Sequence, residues 1–171
     1  TEISITGKWV ATQKSNFFRK SSEYKEMLKK WDDIHQEAKQ HDGMLSTEIN
    51  PALGHDAVLI HHIFQDTDAL VSYFNTTAEN HMKTLTAVAK PDIQLIRGAK
   101  IDDKVKLALS DKNVQASFGE YLFGYVKHDN QRPDPEHAVQ VTAKWTCKDE
   151  GTIEELIYWW QRVGTDAYNL E

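Results

Sequence analysis

Residues 44–74, MLSTEINPALGHDAVLIHHIFQDTDALVSYF, decide the predicted fold, because they have the pattern of two strands followed by a helix. Residues 44–50 form a short strand, and turn residues at 50–54 connect it to a second strand at 56–65. The second strand is apolar enough to lie in the middle of a sheet. Asp66 can cap the helix that follows. The residues of this helix that are predicted to face inward are Ala69, Leu70, Tyr73 and Phe74.

A strand and a helix are predicted before this stretch. Residues 3–12 alternate between two faces and include β-branched residues, which is typical of a strand. Ser21 and Ser22 can cap a helix of about five turns, along which apolar residues recur at steps of three and four. Gly43 suits the turn after this helix. The apolar stripe consists of Tyr24, Met27, Leu28, Trp31, Ile34 and Ala38.

A second helix and a fourth strand complete a recognisable order. The helix after Asp66 is expected to break at residues 75–77 and to resume at 81–89, until Pro91 ends it. Residues 93–97 then form a strand. The order βαββαβ predicts an α+β, ferredoxin-like domain at residues 1–100, with two helices on one sheet face. Because apolar residues occur on both faces of the strands, a matching sheet is expected to cover the other face.

The last part of the chain repeats the beginning. VTAKWT at residues 141–146 matches ITGKWV at 5–10, and the helix after it repeats the apolar stripe. This predicts that residues 101–171 combine a linker strand with a partial second repeat. Either the chain is part of a longer tandem protein, or the half-copy is an extension. The predicted segments are a weak helix at 104–111, strands at 119–128 and 138–147, and a helix at 152–168.

Composition and charge exclude several classes of protein. The net charge is −6 and no basic stripe is present, so a nucleic-acid partner is not expected. No apolar run is long enough to span a membrane. The 17 aromatic residues argue against disorder. Cys147 is the single cysteine, and the strand-like start lacks the features of a signal peptide, so a cytoplasmic protein is expected.

Motifs for common cofactors and metals are absent from the sequence. It contains no glycine-rich phosphate loop, no G-x-S-x-G, no H-E-x-x-H and no His-Cys metal spacing. Dinucleotide-dependent hydride transfer, kinase chemistry and zinc hydrolysis therefore have no support, and no metal site is predicted. Cys147 lies between Lys144 and Lys148, but a lone cysteine without a base is usually inert.

Three short segments, at residues 43–49, 58–70 and 81–82, together resemble the antibiotic biosynthesis monooxygenase family of dimeric α/β barrels. Residues 43–49 match its Gly-x-Leu-x-x-Glu strand, and residues 58–70 match a strand that runs through an aromatic into an acidic residue and Ala-Leu. His81 with Met82 corresponds to a His-Phe or similar pair in the second helix. Two positions depart from the pattern, because the family often has Glu in place of His62 and His in place of Tyr73.

The resemblance implies a homodimer, or a tandem pseudo-dimer, with an apolar pocket in each half. Some members oxidise phenols or quinols with dioxygen and need no cofactor, whereas others degrade haem. The function expected from it is a cofactor-independent monooxygenase acting on a flat aromatic molecule. The alternatives are a non-catalytic binding or dimerisation module of the same fold and, more remotely, a haem-binding protein.

Histidines are the candidate catalytic residues. His61 and His62 are neighbours on one strand, so their side chains point to opposite sheet faces. The one that faces the interior either deprotonates a phenolic substrate or is a structural histidine with a polar partner. His81 either reaches the mouth of the pocket or is a solvated or capping residue.

The candidate substrate-binding residues are one carboxylate and several aromatic residues. Glu48 either faces the pocket beside a partner such as Lys8 or His62, or forms a plain ion pair across the sheet. Trp31 and Trp160 lie in helical stripes, which predicts core packing, whereas Trp9 and Trp145 lie in mid-strand and are expected to be more open. The aromatic candidates are Trp9, Phe64 and Tyr73.

Overall fold

The computed structural model describes residues 1–16, 20–52, 55–98, 100–110, 116–120, 147 and 152–168. The chain divides into two compact units, Thr1–Tyr121 and Leu122–Glu171. The described elements of the first unit are β1 (Ile3–Ala11), α1 (Ser22–Ala38), β2 (Met44–Pro51), β3 (Ala57–Phe64), α2 (Thr67–Tyr73), a π-helical turn (Phe74–Ala78), α3 (Glu79–Val88), β4 (Ala89–Gly98), α4 (Asp103–Ser110) and β5 (Ser117–Glu120). The second unit contains α5 (Ile153–Tyr168).

The first unit has the predicted ferredoxin-like sheet. Its strand order is β2-β3-β1-β4-β5, in which the first four strands are antiparallel and β5 runs parallel to β4. The split βαβ order read from the sequence is therefore confirmed. The unit also includes α4 and β5, which follow the four-stranded core in the chain.

The helices cover one face of this sheet. Along β1 every second residue is buried, and Ile3, Ile5, Trp9 and Ala11 belong to the same apolar core as residues of α1, α2, α3 and α4. The opposite face is only partly covered by the described residues, and we call it the open face. It carries the side chains that alternate with the buried ones, including Ser4, Thr6, Lys8, Leu59 and His61.

Local interactions explain where the helices begin. The Ser21 side chain accepts a hydrogen bond from the backbone N–H of Tyr24, and Asp66 accepts one from the N–H of Ala69. Gly43 has a φ of 80° in the turn before β2. A Cβ atom at that position would lie 2.5 Å from the Cβ of Ala69, so both the backbone conformation and the close approach require glycine.

Two predictions about the second helix were wrong. Residues 75–77 do not interrupt it, because the backbone widens into a π-helical turn and continues directly into α3. Pro91 lies inside β4, which begins at Ala89, and not at a break before the strand. Proline fits there because it lies beside a register shift against β1 and before Leu95, where pairing with β5 starts.

The predictions for the last part of the chain are tested only in places. The helices at 104–111 and 152–168 correspond to α4 and α5, and the end of β5 overlaps the strand expected at 119–128. The rest of that strand and the strand at 138–147, apart from Cys147, lie outside the described residues. Among the helices that the structure does describe, none combines the length and apolar character needed to cross a membrane.

The core-packing prediction for Trp160 was wrong. Trp160 is 41% exposed in α5, whereas Trp31 is buried in α1 as predicted. Helical spacing predicts that the apolar residues share a face, but it does not say whether anything covers that face.

Candidate functional site

A cluster of aromatic rings lies between the sheet and the helices, centred on His62 of β3. Around its imidazole are Trp31 from α1, Tyr73 from α2 and Phe64 from β3, with ring centroids 6.4, 5.6 and 6.4 Å away. Trp9 of β1 extends the group, because its ring meets that of Trp31 edge-on at 5.6 Å. We call these five residues the His62 cluster.

His62 is held in its neutral form. The residue is 1% exposed. Burial, with smaller effects of His61 and His35, lowers the pKa of His62 to about 3. At pH 7 one ring nitrogen therefore carries a hydrogen and the other a lone pair. His62 can donate one hydrogen bond and accept another, but it is a weak base.

Several nitrogen atoms of the cluster have no hydrogen-bond partner. Among the described residues, these include Nε1 of Trp9, Nε1 of Trp31 and both ring nitrogens of His62, and all four atoms are buried. Native structures leave few buried polar atoms in this condition. The cluster thus combines apolar ring surfaces with unused hydrogen-bonding capacity, a combination that suits a small aromatic ligand with polar substituents.

Tyr73 connects the cluster to the π-helical turn. It is the last residue of α2, and the turn begins with the next residue. Burial, with a smaller effect of the Glu37 carboxylate, raises the pKa of Tyr73, so its phenol stays protonated. Turns of this kind are frequent at functional sites. Here the turn includes Thr77, which is buried and donates a hydrogen bond to Glu37.

His81 lies in a separate polar contact between α1 and α3. Its Nε2 is 2.7 Å from Oε2 of Glu37, and its side chain is partly exposed. The hydrogen bond from His81, with further ones from Thr77 and Asn80, lowers the pKa of the Glu37 carboxyl. The structure therefore places His81 outside the His62 cluster, in a contact that joins the two helices.

His61 and Glu48 lie together on the open face. Glu48 of β2 is the cross-strand partner of His61, and Nδ1 of His61 is 2.9 Å from Oγ1 of Thr6 on β1. The partners expected for Glu48 were wrong. Lys8 pairs with Asp92 at 2.9 Å, and His62 faces the helices on the opposite side of the sheet.

The structure therefore divides the predicted site residues into three groups. His62, Phe64, Tyr73 and Trp9 come together under the helices; His61 and Glu48 share the open face; and His81 contacts Glu37. The expectation that Trp9 is more open was wrong, because it is 1% exposed and packs against Trp31. Trp145 lies outside the described residues.

Sequence reasoning missed two residues of this region. Trp31 was expected to be a core residue, but its ring is also a neighbour of His62. The sequence shows both tryptophans, one in the middle of a strand and one in the helical stripe. That they contact each other depends on the packing of α1 against β1, which the sequence pattern does not give. Glu37 is one of several polar residues along α1, and nothing in its spacing indicates the contact with His81. In the part of the chain that is described, no three His, Cys, Asp or Glu residues are grouped so that they could hold a metal ion.

Solved structures resemble this chain. MupZ from Pseudomonas fluorescens has a TM-score of 0.58 with 11% identity, over 77% of this chain and 98% of MupZ. The chain has the fold of MupZ. Other neighbours are SnoaB, a cofactor-independent oxygenase from Streptomyces nogalater (TM-score 0.47, 11% identity, 59% of this chain and 95% of SnoaB), and a candidate antibiotic biosynthesis monooxygenase from Chloroflexus aurantiacus J-10-fl (0.46, 12%, 56% and 90%).

At this level of identity the match to MupZ shows a shared fold and no more. The sheet order and the match to MupZ confirm the ferredoxin-like fold that the sequence predicts. No protein-family model and no curated protein matches the sequence.

Proposed function

We propose that the protein is a cofactor-independent oxygenase that oxidises a flat aromatic phenol or quinol with dioxygen. The observation that carries the proposal is the enclosed, neutral imidazole of His62. Its two ring nitrogens have no hydrogen-bond partner among the described residues, and aromatic rings surround it. The resemblance to the monooxygenase family, carried by residues 43–49, 58–70 and 81–82 and extending over roughly residues 3–98, supports the same class of reaction.

The aromatic residues would bind the ring of the substrate. Trp31, Phe64 and Tyr73 offer ring faces and edges, and the hydroxyl of the substrate would donate a hydrogen bond to the lone-pair nitrogen of His62. Because the pKa of His62 is low, the proton moves to this nitrogen only as a phenolate forms beside it. The two opposite charges then stabilise each other in an environment that water does not screen.

The oxidation would follow from the phenolate. It transfers one electron to dioxygen, and the superoxide and phenoxyl radical combine at a ring carbon that carries hydrogen. One oxygen atom stays on the ring, and the other leaves as water with the hydrogens of the hydroxyl and of that carbon, so that phenol and dioxygen yield a quinone and water. Burial of the cluster would keep bulk water away from these intermediates.

Oxygen uptake with a panel of phenols and quinols tests this function. His62→Leu should abolish substrate-dependent uptake, because leucine removes both ring nitrogens. His61→Leu is the matched control, since it changes the same residue type on the opposite sheet face, and it should retain uptake. Labelled dioxygen should place one labelled atom in the product. The proposal would be refuted if no compound caused oxygen uptake, or if uptake were lost in the His61 variant alone.

A non-catalytic binding module is the second candidate function. It is favoured by the direct contacts among the cluster rings, such as the 5.2 Å between the centroids of Phe64 and Tyr73, because rings packed on one another leave less room for chemistry. Ligand binding without oxygen uptake would support it. Haem binding, the third alternative, would be recognised by a Soret band on titration with haem.

We also propose that a second copy of the chain covers the open face. Leu59 is 45% exposed at the centre of that face, beside Thr6, Lys8 and His61. A matching sheet would bury this leucine. Light scattering should give the mass of a dimer, and Leu59→Lys should shift the protein toward monomer, whereas Leu107→Lys, at an exposed position of α4, should not.

A further inference from the structure

We propose that the indole N–H groups of Trp9 and Trp31 form a subsite for an acceptor oxygen of the ligand, either a ring carbonyl or a phenolate oxygen. The inference rests on the proposed function in one respect, because it takes the His62 cluster as the place where a small aromatic molecule binds. It goes further in naming which atoms select that molecule.

Both indoles are buried without a partner. Nε1 of Trp9 and Nε1 of Trp31 are shielded from solvent, and neither donates a hydrogen bond to an atom of the residues that the structure describes. Buried tryptophans usually find an acceptor for this group, because the N–H loses its bond to water on burial. Because the two rings are neighbours, with centroids 5.6 Å apart, we take both donors to share one acceptor with lone pairs.

The chemistry of the donors defines the occupant. An indole N–H donates and cannot accept, so the subsite suits an oxygen with free lone pairs and has nothing to offer a hydrocarbon ring. A carbonyl oxygen has two lone pairs and can accept from both indoles. The neutral imidazole of His62, whose ring centroid is 6.4 Å from that of Trp31, can both donate and accept a hydrogen bond.

The ligand should therefore carry two oxygen substituents with different roles. One is a carbonyl or phenolate oxygen that accepts hydrogen bonds from Trp9 and Trp31. The other is a hydroxyl that meets His62. An aromatic hydroxyketone or the monoanion of a quinol fits this pattern, whereas an unsubstituted aromatic ring leaves all of the buried nitrogens unpaired.

A pair of probes that differ in one oxygen atom tests the subsite. We would titrate the full-length protein, labelled with ¹⁵N at tryptophan, with 1-indanone, which has a ring carbonyl, and with indane, which lacks it. Indanone should shift the indole N–H signals of Trp9 and Trp31 and bind at least tenfold more tightly than indane, equivalent to about 1.4 kcal/mol. The signals of Trp159 and Trp160 should not move.

Phenylalanine variants remove the donor and keep an aromatic ring. Trp9→Phe and Trp31→Phe should each reduce the preference for indanone over indane by about tenfold. Trp160→Phe is the matched control and should leave the preference unchanged, because the residue is 41% exposed, unlike Trp9 and Trp31. If either core variant fails to fold, the titration of the unmodified protein decides by itself.

Equal affinity for the two probes, or indanone binding without any shift of the two indole signals, would overturn the subsite. So would an internal water that stays on the indoles and that indanone does not displace. The result is separable from the oxygenase proposal. His62-dependent oxygen uptake without indanone binding removes only the subsite, whereas indanone binding at Trp9 and Trp31 without uptake removes only the oxygenase.

Discussion

Two helices of this chain carry the same apolar spacing, but only one of them is buried. Trp31 in α1 is 3% exposed, and Ile34 is buried beside it. Their counterparts in the sequence repeat, Trp160 and Val163 in α5, are both exposed. The comparison shows that a helical stripe predicts an amphipathic helix, whereas burial depends on a complementary surface elsewhere in the fold.

For α1 that surface is the sheet. The rings of Trp9 and His62 lie next to Trp31, and the Ser21 cap sets the start of the helix. Apolar contacts, the packing of aromatic rings and the Ser21 cap together stabilise α1. The comparison with α5 therefore gives a set of matched substitutions whose effects should decrease as burial decreases.

The largest difference is expected at the two matched tryptophans. Trp31→Ala should lower the free energy of unfolding by about 3–5 kcal/mol, because it leaves a cavity in the core. Trp160→Ala should change it by less than about 0.5 kcal/mol, because the side chain is exposed. Urea unfolding followed by far-UV circular dichroism measures both. Equal effects would contradict the contrast between the helices.

The second effect is a dependence of stability on pH, and it arises from His62, which lies beneath α1. His62 has a folded pKa of about 3, below its ordinary value of 6.5, so the unfolded chain binds more protons between these values. Its contribution is complete above pH 6.5 and declines as the pH falls toward 3, by up to about 1.4 kcal/mol per pH unit. The lowered pKa of His35 acts in the same direction.

Unfolding midpoints at pH 7, 5.5 and 4.5 test this dependence. His62→Leu should flatten most of the decline across this range, whereas His61→Leu on the open face should preserve it. The lowered pKa values of Glu37 and Asp56 add a loss of stability at lower pH, as the pH falls through their folded pKa values. A slope unchanged by His62→Leu would show that the imidazole is not the group that resists protonation.

The cap of α1 should have a smaller effect. Ser21→Ala removes the acceptor for the N–H of Tyr24 and should cost about 1 kcal/mol of stability. Ser22→Ala is the control, because the Ser22 hydroxyl donates an exposed hydrogen bond to the side chain of Glu23 next to it, and the substitution should cost much less. The thermal unfolding midpoint should therefore fall more in Ser21→Ala than in Ser22→Ala.

The smallest effect is expected in α5. Nε1 of Trp159 is 3.4 Å from Oε1 of Glu155 one turn earlier, on an exposed surface. Trp159→Ala should change the free energy of unfolding by less than about 0.5 kcal/mol, and Glu155→Gln by no more than that. A large loss of stability in either variant would indicate that this surface of α5 is packed in solution.

Much of the fold could be predicted because it depends on local pattern. Alternation identified β1, and spacing with the cap residues identified α1 and the start of α2. Pro91 and residues 75–77 were misread because proline and β-branched residues are unfavourable locally. The tertiary structure tolerates them, through a register shift beside β1 and a widened turn at the buried Thr77.

The candidate site shows the same division between local and non-local information. The sequence by itself determined that His61 and His62 point to opposite sheet faces, because neighbouring side chains alternate along a strand. Only the tertiary structure decided that His62 lies under the helices among Trp31 and Tyr73, since that depends on the pairing of β3 with β1 and on α1 packing across them. Such contacts join residues far apart in the chain, and no local pattern encodes which of two alternating faces a helix will cover.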